Sequence, residues 1–523
     1  MPHFRPHHPS ARRPWPALAL LLATVACAGK APAETAAPVE AKPAAPTTSA
    51  ADDELQARLD WLAERLEKAR VDNHIPGMAV AVVKDDQMVF ARGFGLADLE
   101  TGREVTPQTV FAIGSSTKAF SATLAAMQVD AGKLSWDDTV VTHLPEMKLQ
   151  PRPGKAEGGD ADPTLRDMGS HRSGFTRMSM LWIANALPRD QMLAKASGAE
   201  PIAGFRDEFH YNNVTYTAVG EAAARTADTT WSAMLQERIF EPLGMGDTTA
   251  TAAGAIDDPA RAQGYRWREV SERHEALPMR NLDAIGPAGS INSTVVDMSQ
   301  WLRLQLGRGT FEGKELVSKG AIEETWTPQM EMGGGLSYGL GWMLGSWQGH
   351  RVVEHGGNID GYATEVGMLP DDGIGFVLLT NISATPLQRG SLELVFDSLL
   401  GELPGKADAK DGAAALDLAP YSGRYVANFG PFDDMRFTVT AESGTLHLDV
   451  PGQQKYELAH PDADGRWAFA LTDAIKVYFD LDEQGKRANV LHMLQGGLDF
   501  ELPREGYSFP PEVDAAEVAD LLG

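Results

Sequence analysis

Residues 111–120 read Phe-Ala-Ile-Gly-Ser-Ser-Thr-Lys-Ala-Phe, and the mostly apolar composition of residues 117–131 predicts a buried helix. Gly114 permits a sharp turn ahead of this helix. Ser115 then lies at the helix N-terminus, and Lys118 is one turn further on the same face. A desolvated amine loses its proton more easily, and the positive end of a helix stabilises an oxyanion. The pattern predicts an activated serine nucleophile; an N-capping serine beside a surface lysine is the ordinary alternative.

The composition excludes several classes of function. The chain has 523 residues, of which 43% are hydrophobic and 23% are charged, as in soluble proteins with two or more domains. Its formal net charge of −26 argues against nucleic acid as a partner, because phosphate binding needs basic patches. The histidines have no cysteine or carboxylate partners at metal-ligand spacing, and no phosphate loop or dinucleotide fingerprint stands out. We therefore expect no metal and no cofactor.

The first residues have the pattern of an export signal. Three arginines precede an apolar run over residues 17–26, which is too short to span a bilayer, and the only cysteine, Cys27, follows it. Residues 22–27 resemble a bacterial lipoprotein box, with Thr24 where leucine is usual, and this predicts a lipid anchor on Cys27. Ordinary signal cleavage, which would remove the cysteine, is the alternative. Both outcomes predict a bacterial envelope or periplasmic protein, and the loss of the three arginines with residues 1–27 changes the net charge from −26 to −29.

Composition and periodicity divide the rest of the chain. Residues 28–52 contain mostly Ala, Pro, Thr and Glu and predict a disordered tether. Helical and strand patterns alternate over residues 53–403, and a Gly/Ala/Asp/Lys stretch over residues 404–415 predicts a linker. Residues 416–510 change to a period of two with regular turns, which predicts a small antiparallel β-domain of seven or eight strands. Residues 511–523 form the tail.

The elements of the first large domain follow from the same patterns. Helices are predicted from Asp52 or Asp53 to Ala69, over 117–131, 214–225 and 230–240, from 295 onward, and over 387–400. Strands are predicted over 77–83, 88–92, 339–344, 350–354, 362–369 and 375–380, with a hairpin turn at 84–87. Residues 251–282 are expected to be irregular.

Two further motifs have the composition of a polar site. Tyr211-Asn212-Asn213 precedes a predicted helix, and either asparagine can cap it. His355-Gly356-Gly357 is expected to end a strand, where paired glycines let a backbone amide approach a substrate. The ordinary alternatives are a packing tyrosine beside a capping asparagine, and a simple turn.

Taken together, the chain resembles the serine β-lactamase and penicillin-binding-protein superfamily, and most closely its branch of class C β-lactamases, esterases and D-amino-acid peptidases. Three family motifs occur in the family's order within residues 53–403: Ser115-Ser116-Thr117-Lys118 for Ser-x-x-Lys, Tyr211-Asn212-Asn213 for Tyr-x-Asn, and His355-Gly356-Gly357 for Lys-Thr-Gly or His-x-Gly. Supporting segments include His171-Arg172-Ser173-Gly174, which we interpret as structural. The resemblance implies an α+β, β-lactamase/transpeptidase-like fold, in which an antiparallel sheet flanked by helices lies beside a helical lobe. The C-terminal domain resembles the lipocalin-like β-barrel often appended to this family.

The resemblance also implies roles for individual residues. Ser115 is the acylated nucleophile, and Lys118 and Tyr211 together are its general base. Their ordinary pKa values are about 10.4 and 10, so we expect both to be lowered. Asn213 is expected to hydrogen-bond Lys118 or the substrate amide. The oxyanion hole is expected to consist of the backbone N–H groups of Ser115 and Asn358.

His355 departs from the penicillin-processing members, which usually have lysine there as a carboxylate anchor. A neutral histidine is a weaker anchor but still donates a hydrogen bond, so His355 and Gly357 are expected to contact the substrate. We therefore predict an acyl-enzyme hydrolase of small-molecule or peptide esters or amides, with D-amino-acid peptides among the candidates and poor β-lactam turnover. The alternatives are a β-lactamase or D-Ala-D-Ala carboxypeptidase, and a non-turning penicillin-binding receptor or scaffold. The β-barrel is expected to act as a lid on the cleft, with a separate ligand site as its alternative. The oligomeric state stays open.

Overall fold

The computed structural model describes residues 50–152, 162–183, 187–268, 271–401, 403, 417–427, 435–442, 445–450, 455–459, 461–462, 465–469, 472–482, 484–495 and 498–509. The predicted export signal with Cys27, the tether before residue 50, the linker and the tail lie outside these residues. In the described part, no helix combines the length and the apolar composition needed to cross a bilayer.

The helices belong to the first large domain. Their bounds are α1 Ala50–Asp72, α2 Thr117–Asp130, α3 Val140–His143, α4 Leu165–Gly169, α5 Met180–Ile183, α6 Arg189–Ala196, α7 Asn213–Arg225, α8 Trp231–Leu235, α9 Glu241–Leu243, α10 Ala252–Ile256, α11 Gly286–Gly289, α12 Val295–Leu306, α13 Lys319–Thr325 and α14 Leu387–Leu400.

The strands of the same domain are mostly antiparallel partners of one another. Their bounds are β1 Gly77–Lys84, β2 Gln87–Asp98, β3 Arg103–Glu104, β4 Phe111–Ala112, β5 Tyr265–Arg268, β6 Arg273–Ala276, β7 Asn292–Ser293, β8 Thr310–Phe311, β9 Lys314–Glu315, β10 Met330–Gly333, β11 Leu336–Tyr338, β12 Met343–Trp347, β13 His350–Ile359, β14 Tyr362–Leu369 and β15 Ile374–Thr380. Nine of them form one antiparallel sheet in the order β10-β11-β12-β13-β14-β15-β1-β2-β3.

Strand β1 shows why this sheet lies inside the domain. Ala79, Ala81 and Val83 pack into a core that includes α2, α7 and α12, whereas Met78, Val80 and Val82 pack into a second core with α1 and α14. Because side chains alternate along a strand, each face of the sheet is covered by its own helices. The predicted antiparallel sheet flanked by helices is confirmed.

The C-terminal part is an antiparallel sheet of eight strands in sequential order. Their bounds are β16 Gly423–Ala427, β17 Met435–Glu442, β18 Thr445–Asp449, β19 Lys455–Leu458, β20 Trp467–Phe469, β21 Thr472–Leu481, β22 Ala488–Gln495 and β23 Leu498–Pro503. The first and last strands meet where the Glu505 N–H donates to the Arg424 carbonyl over 2.8 Å and Tyr425 pairs with Arg504. The sheet is therefore a nearly closed barrel, and the predicted all-β domain is confirmed.

Several predicted boundaries are wrong for local reasons. The strand predicted over 339–344 falls mostly between β11 and β12, where Gly341 takes a φ of +87°, and only Met343 and Leu344 belong to β12. The region 251–282 is not fully irregular, since it contains α10 and the β5–β6 hairpin. The helix predicted over 230–240 is α-helical only to Leu235, and a π-helical turn follows.

The motif His355-Gly356-Gly357 does not end a strand. Gly356 and Gly357 pair with Glu365 and Thr364 of β14, and β13 continues to Ile359. The motif is therefore carried by a central strand of the sheet, which holds its backbone more rigidly than a turn would.

Candidate active site

Ser115 lies in a single 3-10 turn, Gly114–Ser116, that leads directly into α2. Gly114 adopts a φ of +51°, and a Cβ at this position would lie 3.0 Å from the backbone nitrogen of Asn358. Both facts require glycine here. The Ser116 hydroxyl donates to the His355 carbonyl over 2.9 Å, so the start of α2 is fastened to β13.

The side chain of Lys118 is fully buried beside Ser115. Its Nζ lies 3.1 Å from Ser115 Oγ, 2.8 Å from Asn213 Oδ1 and 2.8 Å from the Ala288 carbonyl oxygen. Burial lowers the pKa of Lys118 well below its usual value, and the nearby charge of Arg177 lowers it further. A neutral amine has two N–H donors for the two carbonyl oxygens, which leaves its lone pair for the Ser115 hydroxyl.

Two neighbouring asparagines at the start of α7, Asn212 and Asn213, make different hydrogen bonds. Asn212 is the N-cap, because its Oδ1 accepts from the N–H groups of Val214 at 2.9 Å and Thr215 at 3.0 Å. Asn213 is the first residue of the helix and bonds Lys118. The structure thus resolves which asparagine caps the helix and leaves the other for the site.

Tyr211 closes the site on the side of the helical lobe. Its phenol is hydrogen-bonded to Ser115, and its ring centroid lies 4.8 Å from Lys118 Nζ. Desolvation raises the pKa of Tyr211 well above its usual value, despite the Ser115 hydrogen bond and the charge of Arg177. The expectation that the pKa of Tyr211 falls is therefore wrong, and its phenol is a proton donor at neutral pH.

His355 is buried and uses both ring nitrogens within the protein. Nδ1 lies 2.7 Å from the Gly356 carbonyl oxygen, which only accepts, so Nδ1 carries the proton. Nε2 lies 2.9 Å from the Tyr338 hydroxyl and accepts from it. Burial and the neighbouring Lys118 lower the pKa of His355 to about 3. The N–H of His355 thus has an internal acceptor and its side chain is not exposed. Its predicted hydrogen bond to a substrate stays a prediction.

Strand β13 and the nucleophile turn approach each other through glycines. A Cβ at Gly357 would lie 2.0 Å from the Ile113 carbonyl oxygen and 3.0 Å from the Ser115 nitrogen. The Asn358 side chain turns away to bond Gln388 and the Ala384 N–H. The close contact at Gly357 brings together the two backbone segments that carry the predicted oxyanion donors, the N–H groups of Ser115 and Asn358. A side chain at position 357 would push these segments apart. The predicted contact of Gly357 with a substrate stays a prediction.

A match to the beta-lactamase family model covers residues 63–397. The chain belongs to the beta-lactamase family. Among curated members it is 29% identical to the "unguisins hydrolase ungD′" of Aspergillus campestris over 60% of this chain and 59% of that protein. It is 24% identical to penicillin-binding protein 4* of Bacillus subtilis over 79% of this chain and 92% of that protein. The chain thus spans about six tenths of the length of the fungal relative.

Among solved structures, the octameric penicillin-binding protein homologue of Pyrococcus abyssi has the same fold, with a TM-score of 0.60 and 23% identity over 85% of this chain and 99% of that one. These relatives confirm the superfamily resemblance and the fold. Members of the beta-lactamase family are serine hydrolases, and the site described above has the groups that such chemistry requires.

Sequence reasoning missed three contributors to the site. The Ala288 carbonyl and the Tyr338 hydroxyl have no signature in the sequence, because each is placed by tertiary packing. His171, interpreted as structural, accepts from the Asn212 N–H over 3.2 Å and lies with its ring centroid 4.2 Å from that of Tyr211. Over the described residues, no group of three or more His, Cys, Asp or Glu side chains could hold a metal ion.

Proposed function

We propose that this beta-lactamase-family protein hydrolyses an ester or an amide, with D-amino-acid peptides among the candidates, through an acyl-enzyme on Ser115. The observation that carries the proposal is the Lys118 amine. It is buried, it lies 3.1 Å from Ser115 Oγ, and its other two partners are carbonyl oxygens. Such an amine is a general base that needs no further activation near neutral pH.

The proposed reaction begins when Lys118 takes the hydroxyl proton of Ser115 as Oγ attacks the substrate carbonyl carbon. The carbonyl oxygen becomes an oxyanion, and the N–H groups of Ser115 and Asn358 stabilise it. When the bond to the leaving group breaks, the proton passes from Lys118 to the leaving oxygen or nitrogen, directly or through the phenol of Tyr211. Water then attacks the acyl-enzyme, gives its proton to the same pair of groups and releases the acid together with the Ser115 hydroxyl.

The state of His355 favours this reaction over β-lactam hydrolysis. A neutral imidazole with both nitrogens engaged offers no cation to a substrate carboxylate beside β13. The names of the curated relatives describe a hydrolase and a penicillin-binding protein, and both descriptions are compatible with an acylated serine. A non-turning receptor or scaffold would instead hold a persistent acyl-enzyme or bind its ligand without acylation.

The test is mass spectrometry of the purified protein after exposure to a fluorophosphonate, with Ser115→Ala beside it. We expect one label on Ser115 that the variant lacks, Ser115-dependent turnover of p-nitrophenyl esters or D-amino-acid amides, and no efficient turnover of nitrocefin. A folded protein without the label would contradict the proposal. An adduct with an ester substrate that persists for hours would favour the receptor, and rapid nitrocefin hydrolysis would favour the β-lactamase.

A further inference from the structure

One positively charged side chain beside the site, that of Arg177, takes part in none of the reaction steps proposed above. Arg177 is exposed on the loop between α4 and α5, and its guanidinium carbon lies 5.2 Å from the ring centroid of Tyr211. Between the described residues no ion pair or hydrogen bond engages the Arg177 side chain, although the chain has a net charge of −26 and most of its arginines have carboxylate partners. An exposed arginine without an ion-pair partner among the described residues therefore lies over the ring of Tyr211, the hydrogen-bonded neighbour of the nucleophile.

The loop that carries Arg177 is fixed rather than free. Phe175 is fully buried, and the Thr176 carbonyl accepts a hydrogen bond from the side-chain amide of Asn212. Met178 takes a φ of +49° and packs against the core. Because Asn212 is also the cap of α7, one residue before Asn213, the position of Arg177 is coupled to the same helix start that positions Tyr211.

Arg177 also lines a surface cavity of about 600 Å³. Lys195 is a second cation in this lining, and Met178, Leu181 and Ala199 contribute apolar surface. None of the described residues that line the cavity is acidic. The cavity thus combines positive charge with apolar walls, which suits an organic anion better than a neutral or cationic group.

The geometry points to Arg177, supported by Lys195, as the residue that binds a carboxylate of the substrate. The preferred substrates are therefore esters or amides that carry a carboxylate on an apolar chain. This inference rests on the proposed function, because it assigns substrate charge to the same Ser115 site. It also moves anion recognition from β13, where His355 is neutral and internally bonded, to the loop of the helical lobe across Tyr211.

The test compares two substrates that differ in one charge: the mono-p-nitrophenyl ester of adipic acid and the same ester with its free carboxylate converted to a primary amide. The full chain is expected to have a kcat/KM at least about tenfold higher for the carboxylate, equivalent to about 1.4 kcal/mol. Arg177→Met is expected to bring this ratio close to one, and Arg177→Lys to keep most of it. Arg273→Met removes an exposed arginine of β6 and should leave the ratio unchanged.

The ratio separates the inference from other roles of Arg177. Loss of its charge also raises the pKa of Lys118, and this slows both substrates equally and shifts both pH profiles. If Arg177→Met lowers both rates and preserves the ratio, Arg177 acts only on Lys118 and the inference is overturned. A wild-type ratio near one with Ser115-dependent hydrolysis overturns the inference and leaves the proposed function standing. If Ser115 neither labels nor turns over any ester, both fail.

Discussion

Lys118 shows how one residue links stability to chemistry. Its amine is buried, and among the described residues its hydrogen-bond partners are Asn213, Ala288 and Ser115, none of which is a carboxylate. A charged amine in that position loses its hydration and gains no counter-ion from its hydrogen-bond partners, so burial lowers the pKa of Lys118 well below its usual value and favours the neutral amine. The unfolded chain protonates it at neutral pH, and the site is therefore held at some cost to stability.

The protonation of Lys118 predicts a pH-dependent stability. Because its pKa is lowered in the folded state, the unfolded chain binds one more proton from the lowered value up to about 10.4. Across that window the free energy of unfolding of the wild type, relative to Lys118→Met, should rise with pH by up to about 1.4 kcal/mol per unit. Urea unfolding at pH 7, 8 and 9 measures it.

A variant of an exposed lysine is the control for this experiment. Lys133 is exposed just after α2, and Lys133→Met removes a lysine without the burial that acts on Lys118, so any pH dependence common to the two variants can be subtracted. The comparison uses only the change with pH, so the hydrogen bonds lost in Lys118→Met do not affect its sign. A flat difference for Lys118→Met would mean that the folded protein keeps this amine charged.

At this scale, the sequence predicted the groups and the lowered pKa of Lys118, but not the raised pKa of Tyr211 or the internal hydrogen bonds of His355. The three-residue separation of Ser115 and Lys118 is local, so a helical turn brings them together. The neutral state of His355 and the raised pKa of Tyr211 depend on Tyr338, Gly356 and complete burial, which are tertiary facts. A sequence motif predicts which side chains lie close together, whereas burial and hydrogen bonds in the folded protein determine the protonation state of each one.

At the scale of elements, the site is the junction of α2, α7 and β13. The Ser116 hydroxyl bonds the His355 carbonyl, and the glycines at 114 and 357 let the two backbones touch. The strongly patterned elements followed from sequence: α14 has the predicted bounds, and β14 matches its predicted strand. The β5–β6 hairpin was missed because its residues are mostly polar and only half-buried, so it lacks a clear alternation.

The contact between β13 and the nucleophile turn predicts that adding one methyl group at Gly357 lowers activity strongly. Gly357→Ala places a Cβ 2.0 Å from the Ile113 carbonyl oxygen, so β13 and the nucleophile turn must separate. The Asn358 amide then leaves the oxyanion position, and kcat/KM for p-nitrophenyl esters should fall by about 10²- to 10³-fold, as when an oxyanion donor is removed.

The matched control is a second glycine-to-alanine substitution, at a position where the added methyl group contacts no other atom. Gly390 lies within α14, and a Cβ there meets no atom within 4 Å. Gly390→Ala should keep full activity and stabilise the fold by roughly 0.5–1 kcal/mol through helix propensity. Steady-state kinetics and thermal melts of both variants decide the matter. Gly357→Ala with normal kinetics would show that the two backbones tolerate separation.

At the scale of the whole molecule, the chain contains separate hydrophobic cores. Two cover the faces of the nine-stranded sheet, and the third is formed, in the part of the chain that the structure describes, by residues between Leu418 and Leu502 of the barrel. Its buried members come from successive strands, among them Phe437, Leu448 and Val477. A core whose described members all belong to one domain is the physical basis for independent folding.

We therefore expect the first large domain to fold without the barrel. Deletion of residues 405–523 should leave a protein that unfolds cooperatively and is still labelled on Ser115, because all the site's groups precede residue 405 and the first two cores stay intact. If the barrel acts as the predicted lid on the cleft, the truncation should change selectivity more than chemistry. The ratio of kcat/KM for a long-chain p-nitrophenyl ester to that for the acetate should then shift by more than about fivefold, or about 1 kcal/mol. A stable truncation with unchanged selectivity would argue against the lid and favour a ligand site within the barrel itself.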